Sequence, residues 1–114
     1  MSLHDVYVDY PFDHPSSEQK TALIRHTKNK KTFALIAYHQ GQIYLNLKCN
    51  PLDADFLRQA FEGVIPGWHM NKEHWNTVII GTDVPGDEIK RQIANSYALT
   101  IPKAQRHIKK IDMK

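Results

Sequence analysis

The chain has 114 residues, with hydrophobic residues at 41%, charged residues at 24%, five Gly and six Pro. This is the composition of one compact domain spanning residues 1–114, and it excludes collagen-like, mucin-like and low-complexity classes. No run approaches the roughly 18 apolar residues of a membrane helix, and the first residues carry acids and prolines instead of a basic start and an apolar core, so the expectation is an unexported cytoplasmic protein with no membrane partner.

The formal net charge is +3, and its distribution along the chain says more than its total. Residues 1–18 hold Asp5, Asp9, Asp13 and Glu18 with no Lys or Arg. Residues 19–52 hold no acid, but carry Lys20, Arg25, Lys28, Lys30, Lys31 and Lys48. Residues 53–88 are acidic again, with Arg58 and Lys72 as their cations. The remainder is basic, from Lys90 and Arg91 to Lys114. Two basic blocks can draw polyanions to a surface, or merely solvate it.

In chain order, Val6–Asp13 begins with alternation and meets Pro11 and Pro15, which reads as a short extended lead-in with an edge strand. Period two then groups Ala22, Ile24 and His26, next Phe33, Leu35 and Ala37, next Ile43, Leu45 and Leu47, predicting three antiparallel strands. Asn29 and Gly41 are the residues expected to take positive φ in the two intervening turns. Asn50-Pro51 predicts a helix capped by Asn50, with Ala54, Leu57 and Phe61 as its apolar stripe and Gly63 as its stop. Val64–Lys72 reads as a loop, and Trp75–Ile80 as a strand. Ile89, Ile93 and Tyr97 mark a second helix, and Lys103–Lys110 a short basic third one after Pro102. Strands, helix, strand and helices in this order give an α+β fold, an antiparallel sheet packed against helices.

The densest chemistry lies between Pro66 and Thr77, where two Trp, two His, two Asn and one Lys crowd a loop and the strand it enters. Trp68, His69, Asn71, Lys72, His74 and Trp75 are the candidate functional loop. His69 and His74, with Glu73 between them, supply too few metal ligands, and Cys49 has no second thiol, so no metal site and no cofactor are expected. No nucleophile, oxyanion loop or phosphate-binding glycine motif accompanies them, so no catalytic residue is assigned. As a binding surface, the rings offer stacking faces, the amides hydrogen bonds and Lys72 charge. The competing reading makes Trp68 and Trp75 core plugs in a self-satisfied loop. His4, His14, His26, His39 and His107 have no ligand-like spacing and read as ordinary surface or turn positions.

The segment Pro66-Gly67-Trp68-His69-Met70-Asn71, running on into Lys72-Glu73-His74-Trp75-Asn76-Thr77-Val78, resembles the signature of the MmcQ/YjbR family of small bacterial proteins. Phe33-Ala34-Leu35-Ile36, Leu47-Lys48-Cys49-Asn50-Pro51 with Leu57-Arg58, and Ser96-Tyr97 match it in the same order, over roughly residues 32–100. Trp68 stands where the family often has Tyr, and the helix that usually precedes the first strands is shortened or missing. The resemblance implies a CyaY-like (frataxin-like) fold and a DNA-binding role. Joined to the basic blocks, it gives the expected function: a non-enzymatic DNA-binding protein, monomeric by default, whose Lys28, Lys30, Lys31, Lys48, Arg58 and Lys72 contact phosphates. The alternative is a small-molecule or anion-binding domain, possibly metal-dependent, that uses the His69–Trp75 loop. A third expectation, borrowed from the frataxin comparison, is an acidic iron-binding ridge of Asp5, Asp9, Asp13, Asp83, Asp87 and Glu88.

Overall fold

A computed structural model describes residues 5–10 and 21–102 of the chain. Asp13 and the expected helix at Lys103–Lys110 lie outside them. The elements are β1 (Val6–Asp9), β2 (Thr21–His26), β3 (Thr32–His39), β4 (Gln42–Lys48), α1 (Pro51–Ala60), β5 (Val64–Pro66), β6 (Trp75–Ile79) and α2 (Gly86–Thr100). The strands form one antiparallel sheet in the order β1-β2-β3-β4-β6-β5, with α1 placed between the meander and the last two strands.

Both helices lie on the same face of the sheet. Ala54 and Leu57 of α1, together with Ile89, Ile93 and Tyr97 of α2, join Ala34, Leu45, Leu47 and Val78 in one core. Phe33, Leu47 and Val78 are completely buried, each worth about 1.5–3 kcal/mol against exposure. Ser96 pins α2 to the sheet through one hydroxyl, which donates to the Phe33 carbonyl (2.6 Å) and accepts from the Lys48 N–H (2.8 Å).

The register corrects the strand faces expected from period two. Ile24 pairs with Ala34 and Arg25 with Thr32, which leaves Phe33 as an extra, bulged residue of β3. The bulge resets the alternation: Phe33 and Ala34 both enter the core, Ile36 follows on the helix side, and Leu35 and Ala37 turn to the opposite face. A strict period cannot see an inserted residue.

Four smaller differences have local causes. Val64–Pro66 is a strand, because three residues suffice to add an edge to β6 even where Pro66 lacks an N–H. Asn50 makes no side-chain cap; Pro51 occupies the first turn and the Asn50 carbonyl accepts from Ala54. The helix ends at Ala60, ahead of Gly63, whose own constraint is spatial: a Cβ there would lie 1.9 Å from the Thr82 hydroxyl oxygen. In the β2–β3 turn the left-handed residue is Lys30 (φ 61°), not Asn29, whereas Gln40 and Gly41 both take positive φ, as a two-residue hairpin between paired His39 and Gln42 requires. No helix of the structure is long and apolar enough to cross a membrane.

Candidate functional site

In an antiparallel sheet the end of one strand lies beside the start of its neighbour. That rule gathers the basic residues. The β2–β3 turn carrying Lys28, Lys30 and Lys31, the last residue of β4, Lys48, and the segment with Lys72 that leads into β6 all lie at one end of the sheet. Lys28, Lys30, Lys31 and Lys72 are exposed and Lys48 is half-buried. Asp5 stands 3.9 Å from Lys28, and Glu73 and Asp53, the latter in the first turn of α1 just after Lys48, share this end. At the opposite end lie Glu62, Asp83 and Asp87.

The lysine turn is held stiffly. Asn29 donates to the Thr100 carbonyl at the end of α2 (2.9 Å) and accepts from the Lys31 N–H (3.0 Å). Arg25 bridges Asp9 (3.1 Å) and the Lys30 carbonyl (2.9 Å). Beneath the turn His26, 3% exposed, sits against Phe33 and Tyr97 with Nε2 2.7 Å from the Thr100 hydroxyl oxygen. Burial holds its pKa below the usual histidine value, outweighing a hydrogen bond to the Tyr97 backbone.

Arg58 and Lys72, both expected on phosphates, are bound up in the loop itself. The Arg58 guanidinium donates to Asn76 Oδ1 (2.6 Å) and to the carbonyls of Lys72 and Trp75. Lys72 Nζ donates to the Gly67 carbonyl (2.8 Å). Asn71 Oδ1 accepts the N–H groups of Glu73 and His74, closing an Asx turn. Thus Asn71 and Lys72 shape the loop, while His69 and His74 stay exposed and Trp75 half-buried at the start of β6. His74 lies 4.0 Å from Glu73, and its carbonyl accepts the Cys49 N–H.

Trp68 is neither a core plug on the helix side nor a free platform. The loop folds back across the other face of the sheet, where the Trp68 N–H donates to the Thr77 hydroxyl (2.8 Å), which donates in turn to Asn46 Oδ1 (2.6 Å). The indole then meets His39, Tyr44 and His69 at ring centroid distances of 4.9, 5.3 and 4.2 Å. His69 reaches it from a left-handed backbone (φ 59°). His39 and Tyr44 were not singled out by sequence; the reset alternation after Phe33 puts His39 on this face, and the regular alternation of β4, opposite Leu45 and Leu47, puts Tyr44 there. Among the described residues no three His, Cys, Asp or Glu side chains gather as a metal site requires. The acids of the expected ridge are separated and engaged: Asp9 with Arg25, Asp83 with the N–H groups of Glu62 and Gly63 (both 2.8 Å), and Glu88 with Arg91.

Proteins from several bacteria resemble this chain in sequence and in fold. The YjbR family model matches residues 1–99. The chain belongs to the YjbR family. Among YjbR relatives, the uncharacterized protein YyaQ of Bacillus subtilis is 39% identical over 102 residues, covering 81% of this chain and 83% of its own. The uncharacterized protein YjbR of Escherichia coli K12 is 34% identical over 65 residues, 57% of this chain and 55% of its own. A Pseudomonas syringae crystal structure superimposes with a TM-score of 0.72 at 30% identity, covering 85% of this chain and 88% of that one. A Deinococcus radiodurans structure of the domain family DUF419 gives 0.74 at 29% identity, covering 88% and 71%. The described residues of this YjbR-family chain thus form a small α+β fold, a six-stranded antiparallel sheet with two helices.

Proposed function

We propose that this YjbR-family chain is a non-enzymatic nucleic-acid-binding protein that engages phosphates with the lysine-bearing end of its sheet. The observation that carries the reading is the convergence of Lys28, Lys30 and Lys31 with Lys48 and Lys72 at one end, from three separate segments, where they outnumber the acids Asp5, Asp53 and Glu73 that share it. A cluster of lysines of this kind holds a polyanion through charge, with little choice of base sequence. Arg58 drops out of the phosphate-binding group because its Nε and Nη2 are held by Asn76 and by the carbonyls of Lys72 and Trp75, and Lys72 adds charge more than reach. The CyaY-like reading of the fold belongs to the same proposal; it rests on two helices covering one face of an antiparallel sheet, and superposition on a frataxin-type structure tests it.

The experiment is fluorescence anisotropy of labelled duplex and single-stranded DNA at about 50 and 200 mM salt, a range over which phosphate-driven affinity falls steeply. Binding that is tight at low salt, indifferent to sequence and lost at high salt is the expected result. Absence of binding at low salt overturns the reading.

A further inference from the structure

The two helices do not close against each other. Between them, on the helix side of the sheet, runs a cleft of about 520 Å³ whose apolar walls are Phe56, Leu57, Ala60 and Phe61 of α1 and the segment after it. Glu88 and Arg91 of α2 form the facing wall, joined to each other at 2.5 Å. The volume is that of a small-molecule site, and one apolar wall with a few placed polar groups is the usual make-up of such a site. Phe56, 70% exposed, is an aromatic ring left in water at its rim.

At Asp53, Leu57 and Arg91 the cleft adjoins a small enclosed cavity of about 10 Å³, room for one water-sized group. Cys49, Asn76 and Gln92 line this inner end, all three buried. Asn76 is satisfied at both ends, by Arg58 and by the Ala54 carbonyl. Gln92 is not. Its Nε2 donates to Glu88 (3.3 Å), but its Oε1, on a side chain 5% exposed, accepts no hydrogen bond among the described residues. A buried amide oxygen without a donor is costly, and a ligand N–H or O–H repairs it. The charges around the cavity and cleft are balanced, Lys48 and Arg91 against Asp53 and Glu88, so they favour no net ion. Burial, with Asp53 nearby, pushes the Cys49 thiol up, which leaves it a neutral wall and not a nucleophile.

We infer that the α1–α2 cleft is a binding site for a small uncharged amphipathic molecule, its apolar ring or chain against Phe56, Leu57, Ala60 and Phe61 and a donor head on Gln92 Oε1. The site meets the lysine end at Lys48 alone, and its test stands or falls independently of nucleic-acid binding.

N-phenyl-α-naphthylamine is the probe: neutral, apolar, bearing one N–H, and fluorescent when it leaves water. Saturable enhancement with one probe per chain is expected. Ala60→Trp, a change at an exposed position that fills the cleft, weakens it by about tenfold or more, whereas Tyr38→Ser with Ile43→Ser, in the other exposed apolar patch, leaves it unchanged. Gln92→Leu removes any preference for 2-naphthol over 2-methoxynaphthalene in displacing the probe, since the terminal hydroxyl is a donor small enough for the inner cavity and the ether has none. Circular dichroism of each variant confirms that it is folded. No enhancement, or enhancement that survives Ala60→Trp or is lost with the Tyr38 and Ile43 changes, overturns the proposal; a preference that survives Gln92→Leu overturns the role of its oxygen.

Discussion

The hydroxyl of Thr77 receives the Trp68 N–H and donates to Asn46 Oδ1, and both Thr77 and Asn46 are fully buried. Replacing Thr77 by Val keeps the shape but strands a donor and an acceptor, so urea unfolding is expected to shift by about 1–3 kcal/mol with little change in its dependence on urea. His26 offers a second test at this scale. Its folded pKa lies below the ordinary value of 6.5, so the native state favours the neutral ring. The stability this confers is present above pH 6.5 and is lost as pH falls through 6.5 and the folded pKa, because the unfolded chain takes the proton first. Thermal melts between neutral pH and about pH 5 are expected to show a loss that His26→Gln flattens; equal pH slopes for the two proteins would remove His26 as the cause. Neither residue was marked by the sequence as structural. His26 reads there as one of several scattered histidines, since what defines it is the ring of Phe33 beside it and Tyr97 far along the chain.

The segment 67–74 is fastened by a helix as well as by its own neighbours. Arg58, on α1, holds the carbonyls of Lys72 and Trp75 and the side chain of Asn76 at once. Arg58→Ala is expected to lower stability by about 1–3 kcal/mol, seen as a drop of several degrees in Tm, and to leave DNA affinity unchanged at a temperature where the variant is folded. Lys at this position restores only part of the loss, because one ammonium cannot reproduce the planar fork. A Tm unchanged in Arg58→Ala would show the loop to be held by other means. The strands of the meander and both described helices were legible because their apolar spacing repeats, and the final strand because it is rich in β-formers. The Phe33 bulge, the three-residue β5 and the fold-back of Trp68 were not, since each is fixed by a register or a hydrogen bond between distant segments. The aromatic loop was legible as unusual composition; that Asn71, Lys72 and Arg58 serve its shape follows from partners no spacing reveals.

At the scale of the whole molecule, lysines far apart in the sequence become neighbours at one end of the sheet. The folding of the meander converts the acid-free stretch of residues 19–52 into a lysine turn and a strand end that face the same way. Changing Lys28, Lys30 and Lys31 together to Gln is expected to weaken DNA binding alike for all sequences and to reduce the slope of log affinity against log salt by about 0.9 for each phosphate no longer neutralised. An unchanged slope would remove the turn from the interface. The sheet order also carries a temporal consequence. Pairs within β2, β3 and β4 are joined by short turns, whereas the β4–β6 seam closes a loop of about thirty residues and carries a larger chain-entropy cost. During synthesis the meander can zip as soon as Lys48 is clear, while β6 must wait for α1 and the loop to emerge. The lysine turn is therefore among the first parts of the protein to exist, and the cleft between the helices among the last.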